Sequence, residues 1–109
     1  MPNSPTLPGQ LFPLGQVVST PGALEHLDTA AVLKLLKRHA TGDWGDLDDD
    51  DLERNDIAVQ EGLRIVSSYE HVYEKEQVHT AHTMTYRVTI LCITEWDRSA
   101  TTLLLPSEY

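Results

Sequence analysis

The sequence contains little cysteine and no apolar run long enough to cross a bilayer. Its single cysteine, Cys92 of 109 residues, excludes a disulfide framework and any metal site built from cysteines alone. The first residues carry neither a basic cluster nor an apolar h-region, so no secretory signal peptide is expected. We therefore expect a cytoplasmic protein with no membrane contact.

Basic residues are also scarce: 8 Lys+Arg stand against 17 Asp+Glu, for a formal net charge of -9. This charge repels phosphate and argues against direct binding of nucleic acid. The sequence has no Walker loop, Rossmann fingerprint, nucleophile elbow or CxxC pair. No cofactor is therefore expected, and the chain shows no signature of a known enzymatic reaction.

Proline is concentrated at the N-terminus, where four of the 6 prolines lie within residues 1–15. Four prolines prevent a regular helix, so these residues are predicted to form a Pro-rich arm. Leu11, Phe12 and Leu14 are expected to anchor the end of this arm. Residues 16–109 are predicted to form a single domain.

Helix signals precede strand signals along the chain. Thr20, Asp28 and Asp48 are predicted N-caps of three helical segments, and Gly62 is predicted to end the third. Strands are then predicted at 64–69, with an extension as far as 73 left open, and at 84–94 and 101–105; a loop is predicted at 74–82 and a weak strand at 16–19. This order predicts an α+β fold whose N-terminal helices pack on one face of a small antiparallel β-meander.

Most of the negative charge lies in residues 43–56, which hold eight acids and one base. The local charge is -7, whereas the other 95 residues carry only -2. A calcium loop starting at Asp46 would need Gly where Asp51 stands and Glu where Ile57 stands, so an EF-hand is excluded. Two interpretations stay open: a surface that steers a basic partner, or acids that stabilise a helix start. The candidate partner-binding residues are Asp43, Trp44, Asp46, Asp48, Asp49, Asp50 and Asp51.

Trp44 itself has two interpretations. It is either a core residue beside Gly45 or an exposed anchor for a partner, because Trp is enriched at binding hot spots. Cys92 lies in the middle of an apolar strand and is interpreted as an inert core residue.

A polar cluster follows the second long strand. Glu95 is a candidate general base and Arg98 a candidate anion-binding group, with Asp97 between them. These three are the alternative catalytic residues. The competing interpretation is a turn in which Asp97 and Ser99 bond to the backbone while Arg98 pairs with a carboxylate.

Three histidines lie around the predicted 74–82 loop. His71, His79 and His82 form a weak candidate zinc site, but their spacing matches no strong zinc signature. Solvated loop histidines are the competing interpretation.

Several stretches of the sequence are similar to one family. They comprise residues 11–18, 20–24, 42–45, 93–99 and 104–109, and together they resemble small uncharacterised bacterial plasmid-related proteins carried on plasmids and integrated elements. The chain departs from the family by a longer segment around 73–83 and by Trp96, where a small residue is usual. The resemblance implies a bacterial, mobile-element setting and carries over no catalytic residue.

The leading hypothesis is a non-enzymatic interaction protein whose acidic segment contacts a basic protein partner. On a mobile element, that partner is expected to be a nucleic-acid-binding defence protein, which this protein would inhibit. The alternatives are a small hydrolase or nuclease using Glu95, Asp97 and Arg98, or a toxin–antitoxin component. A homodimer is a further expectation.

Overall fold

The computed structural model describes residues 7–109. The α+β prediction is confirmed, because three α-helices accompany a four-stranded sheet. The elements in chain order are β1 (Gln16–Ser19), α1 (Pro21–Leu24), α2 (Thr29–Ala40), α3 (Asp49–Glu61), β2 (Ile65–Glu76), β3 (Thr83–Thr94), β4 (Ala100–Leu104) and a final 3-10 turn (Pro106–Glu108). No helix in this part of the chain is long and apolar enough to span a membrane.

The predicted N-caps and the glycine stop of α3 are confirmed, whereas the first helix, predicted to reach about Leu27, ends at Leu24. The side chain of Asp28 accepts a hydrogen bond from the Ala31 N–H at 2.8 Å, and that of Asp48 accepts one from the Asp51 N–H at 2.8 Å. Each bond satisfies one of the N–H groups that the first turn of a helix leaves unpaired. Gly62 ends α3 with a φ of 70°, a left-handed conformation that glycine adopts without a steric penalty.

The C-terminal strands β2, β3 and β4 form the predicted antiparallel meander, but the prediction of an antiparallel sheet is wrong at β1. The strand order is β1-β4-β3-β2, and β1 pairs parallel to β4, with Val17 opposite Thr101. The sheet is therefore mixed. Two parallel neighbouring strands need a long connection. Here the connection between β1 and β4 contains all three helices and the β2–β3 hairpin. Four residues of weak alternation at 16–19 carry no signal that sets this direction.

The β2–β3 hairpin is longer than predicted. The two strands pair without interruption from Ile65–Thr94 to Glu76–Thr83, so only residues 77–82 form the loop. Polar residues 74–76 belong to the strand because cross-strand neighbours support them: Tyr73 stacks on Tyr86 with ring centroids 5.2 Å apart. The far end of the hairpin, residues 74–86, consists mostly of exposed residues.

Two clusters of buried apolar residues form the core. The first brings Leu35 and Leu36 of α2 together with sheet residues such as Tyr69 and Ile90. The second joins Phe12, Trp44, Ala58 and Ile65. Phe12, from the predicted N-terminal arm, is thus part of the core; residues 1–6 of that arm lie outside the described residues.

Candidate functional site

Trp44 lies in the core and is only 4% exposed. Its ring stacks on Phe12 at 6.2 Å, and its Nε1–H donates to Oδ1 of Asp56 at 3.0 Å. The following residue, Gly45, has a φ of 79°, and a Cβ there would collide with the Ser68 carbonyl. Of the two interpretations of Trp44, the structure supports the core residue, and the side chain is not available as a surface anchor.

Asp43 also forms hydrogen bonds within the protein. Its carboxylate accepts from Arg38 Nε at 2.6 Å and from the Gly45 N–H at 3.2 Å. The hydrogen bond from Arg38 holds the pKa of the Asp43 carboxyl below its ordinary value. Its backbone carbonyl accepts the Tyr69 hydroxyl at 2.5 Å. Asp43 therefore fastens the loop before α3 to both α2 and β2.

Three further acids of the 43–56 segment have partners within the protein. Asp48 caps α3, Asp51 pairs with Arg54 at 2.9 Å, and Asp56 accepts from Trp44. These bonds occupy at least one oxygen of each carboxylate. The helix start thus has the cap and the favourable charge that it needs from Asp48 and Asp51.

The remaining four acids form what we call the acidic rim: Asp46, Asp49, Asp50 and Glu53. All four are exposed. Within residues 7–109, none of them lies within ion-pair distance of a base. Glu53 was not among the candidate partner-binding residues, although it belongs to the same acidic run. The rim presents four negative charges to solvent at one corner of the fold.

Hydrogen bonds join the segment that carries the acidic rim to β2. The Asp46 N–H donates to the Ser68 carbonyl at 2.7 Å, and the Ser68 N–H donates to the Trp44 carbonyl at 3.1 Å. The buried Asn55 side chain bonds both backbone groups of Val66, at 2.8 and 3.2 Å. The loop and α3 are therefore both tied to β2. Sequence reasoning missed Asn55, a polar residue in an otherwise exposed stretch of charges.

The polar cluster after β3 does not converge on a reaction site. Glu95 pairs with Arg64 at 3.2 Å, and Asp97 accepts the Ser99 N–H at 3.0 Å. Arg98 donates to the carbonyls of Leu63 at 2.6 Å and Ala58 at 2.8 Å, so it pairs with backbone rather than with a carboxylate. The turn role predicted for Asp97 is observed, and Arg98 supports the C-terminal end of α3.

The three candidate zinc ligands are not brought together. His71 lies in β2 opposite Val88 and stacks on Tyr73 at 5.5 Å, whereas His79 and His82 lie in the loop of the hairpin. The five strand residues between His71 and the loop end span about 17 Å. Among residues 7–109, no group of three or more His, Cys, Asp or Glu side chains is placed to hold a metal.

A buried polar chain that sequence reasoning missed is centred on His39. Its Nδ1 lies 2.6 Å from Ser67 Oγ and its Nε2 lies 2.9 Å from Thr94 Oγ1. Thr94 continues to Thr101 at 2.7 Å, and Thr101 donates to the Leu14 carbonyl at 2.7 Å. Burial lowers the pKa of His39 to about 4. These hydrogen-bonded side chains are closed to solvent, so they join α2 to the strands of the sheet and do not bind a substrate.

One available signal pointed to His39. It lies four residues after Leu35 and three after Leu36, so the helical period places all three on the buried face of α2. The buried Cys92 behaves as the sequence predicted, since burial raises the pKa of its thiol and keeps it neutral.

Of the candidate partner-binding residues, Asp46, Asp49 and Asp50 of the acidic rim are exposed and in no ion pair among the described residues, whereas Glu95, Asp97 and Arg98 all bond within the protein. No family model, curated protein or solved structure matches this chain.

Proposed function

We propose that this protein is a non-enzymatic interaction protein and that its acidic rim binds a basic partner protein. The observation that carries the proposal is the set of four exposed carboxylates, Asp46, Asp49, Asp50 and Glu53, which no base within residues 7–109 neutralises. Like charges held near one another repel. A basic partner relieves this repulsion when it binds.

Helix stability does not account for the rim. Asp48 supplies the N-cap, and Asp51 supplies an acid in the first turn that is itself paired with Arg54. Each further acid near a helix N-terminus adds at most about 1 kcal/mol, and less when its neighbours carry the same charge. The additional carboxylates are therefore better explained by a partner than by α3 alone.

The support beneath the rim suits recognition. Bonds from Asp46 and Asn55 to β2 hold the loop and helix in place before any partner arrives. A preorganised surface loses less conformational entropy on binding than a flexible acidic tail does. We also infer that α2 and α3 cover the same face of the sheet. Tyr69 belongs to the core cluster of α2 and Ile65 to that of α3, and the two residues lie four positions apart in β2. Strand residues an even number of positions apart project from the same face.

The setting is part of the proposal. We propose that the protein is encoded on a mobile element and acts in the bacterial cytoplasm. Its partner there would be a nucleic-acid-binding defence protein. Carboxylates on a fixed surface occupy the Lys and Arg side chains that such a protein uses for phosphate. Binding would then inhibit the partner by competing with its nucleic acid.

The test compares two double variants with the same change in charge. Asp49→Asn/Asp50→Asn removes two rim charges, and Glu25→Gln/Glu61→Gln removes two exposed acids elsewhere. Proteins captured from bacterial lysate by each immobilised variant are identified by mass spectrometry. We expect basic proteins to be lost only with the rim variant, and their capture to weaken as salt is raised.

Identical captured sets for the native protein and the rim variant would refute the proposal. A growth arrest on expression that the rim variant leaves unchanged would instead favour the toxin–antitoxin alternative.

A further inference from the structure

The outer edge of β2 is a second surface with unused bonding capacity. β2 is the last strand in the order β1-β4-β3-β2, so only one side of it is paired along its whole length. The direction of its backbone groups is read from Ser68, whose N–H and C=O both bond to the Trp44–Asp46 loop on the outer side. Backbone groups of successive strand residues point alternately to the two sides. Glu70, Val72 and Glu74 therefore also point their N–H and C=O groups outward.

The loop before α3 occupies the outer side of β2 only as far as Ser68. Gly45 forms an isolated parallel bridge with Ser68, after which the chain turns away into α3. Within the described part of the chain, no group bonds to the outward N–H and C=O of Glu70, Val72 or Glu74. Beyond the point where the loop leaves the sheet, the edge of β2 therefore has free backbone groups with which a further strand can pair.

The side chains along this edge indicate what fits it. Glu70, Val72, Glu74 and Glu76 all project from the same face of the hairpin, since strand side chains alternate with a period of two. All four are exposed, and of the three acids only Glu70 has a base nearby, Arg87 at 3.0 Å. Glu74 and Glu76 are free of ion pairs within residues 7–109.

The charge disfavours a second copy of this chain at the edge. Antiparallel pairing of two β2 edges about Val72 would place Glu70 of one copy opposite Glu74 of the other. Like charges directly opposite each other destabilise a strand pair, and acids on an edge commonly prevent self-association. The same acids attract a strand that carries Lys or Arg at alternate positions.

We propose that residues 70–76 of β2 bind an extended basic segment of a partner protein, which adds to the sheet as an antiparallel strand. Main-chain hydrogen bonds to Glu70, Val72 and Glu74 supply affinity, and Glu74 and Glu76 select basic residues. The inference rests on the proposed function only in taking the partner to be basic. The end of the added strand that faces Ser68 reaches Asp46, so one partner is able to contact edge and rim together.

The probe is an acetylated and amidated peptide, Lys-Thr-Lys-Thr-Val-Thr-Thr. In antiparallel register its two lysines face Glu76 and Glu74, and its valine faces Val72. Amide hydrogen exchange on the isotope-labelled full chain reports the contact. In the free protein, Val72 and Glu74 amides should exchange faster than those of His71 and Tyr73, which bond to β3. Bound peptide should slow Val72 and Glu74 by about tenfold or more.

The backbone hydrogen bonds are removed without changing any charge in two ways: by Val72→Pro in the protein and by N-methylation of the peptide. Val72→Pro deletes one outward N–H, and proline is tolerated on an edge strand where the N–H faces solvent. We expect affinity for the peptide to fall by about fivefold or more. Val72→Thr, which keeps the N–H, is the matched control and should bind normally. A peptide N-methylated on the residues that face the edge makes the same test from the ligand side, even if the proline variant fails to fold.

Unchanged affinity for the N-methylated peptide would overturn the inference, and so would a dimer in sedimentation that Val72→Pro converts to monomer. A peptide with Glu in place of its lysines should not bind. Failure of this inference is distinguishable from failure of the proposed function. Loss of a partner in Asp49→Asn/Asp50→Asn but not in Val72→Pro would refute only the edge, and the reverse pattern would refute only the rim.

Discussion

Ser67 and His39 join the sheet to α2 through a hydrogen bond of 2.6 Å in a region that is fully buried. The second ring nitrogen of His39 bonds Thr94 at 2.9 Å, so one imidazole bridges α2, β2 and β3. A buried polar group is stable only while its hydrogen-bonding capacity is satisfied. The bridge therefore makes the position of α2 sensitive to the charge of one side chain.

The first prediction is a loss of stability in mild acid. His39 has a pKa of about 4 in the folded protein against 6.5 when unfolded, so the unfolded chain binds the proton first as the pH falls. The free energy of unfolding should drop by about 2 kcal/mol between pH 7 and pH 5 from this group alone. It should stop falling on this account below the folded pKa, where both states are protonated.

Urea unfolding at a series of pH values measures this effect. The control is His39→Gln, which should be less stable at pH 7 but show a flatter profile between pH 7 and pH 5. Asp43, Asp97 and Glu108, whose pKa values lie below their ordinary ones, lose their stabilising effect mainly below pH 5 and are unchanged in His39→Gln. Equal slopes for the native protein and His39→Gln would contradict the assignment.

The second prediction separates the two tryptophans. Trp44→Phe removes the hydrogen bond to Asp56 and leaves unfilled volume beside Phe12, so it should destabilise the protein by about 2 kcal/mol. Trp96→Phe is the matched control, because Trp96 is 67% exposed and its replacement should change stability by less than about 0.5 kcal/mol. Chemical denaturation followed by far-UV circular dichroism measures both. Similar midpoints would show that Trp44 is not a core residue in solution.

The third prediction concerns the cluster after β3. Arg98→Ala deletes charged hydrogen bonds to the carbonyls of Leu63 and Ala58 and should cost about 2 kcal/mol of stability. Glu95→Gln breaks only a surface ion pair with Arg64 and should cost less than about 1 kcal/mol. Thermal unfolding of the two variants checks this order. A hydrolase or nuclease site would show the opposite signature, in which Glu95→Gln abolishes an activity and leaves the melting temperature unchanged.

Local signals predicted the helices well, because caps act within a few residues. Thr20, Asp28 and Asp48 each bond an N–H three residues onward, and this spacing is visible in the sequence. Parallel pairing of β1 with β4 could not be predicted, since their paired residues Val17 and Thr101 are far apart in the chain and the strand is only four residues long. Long-range partners decide such pairing.

The candidate site follows the same rule. The excess of acids at 43–56 was visible, but which acids stay free depends on contacts that only the fold creates. Arg38 neutralises Asp43, and Trp44 occupies Asp56 from the core, whereas Asp49 has no such partner among the described residues. The outward edge of β2 was likewise hidden, because residues 74–76 appear as a polar loop until Tyr73 and Tyr86 are seen to stack.

The fourth prediction tests burial of the only cysteine. Cys92 is enclosed between β2 and β4, facing Ser67 and Leu103 in the sheet, and burial raises the pKa of its thiol. The thiolate is the reactive form, so the native protein should react with Ellman's reagent only through opening of the fold. Labelling in urea should become fast once the protein unfolds. Met84→Cys, at an exposed position on the same strand face, supplies the matched control and should label promptly in the native state. Rapid labelling of Cys92 without denaturant would mean that the sheet opens far more often than this packing implies.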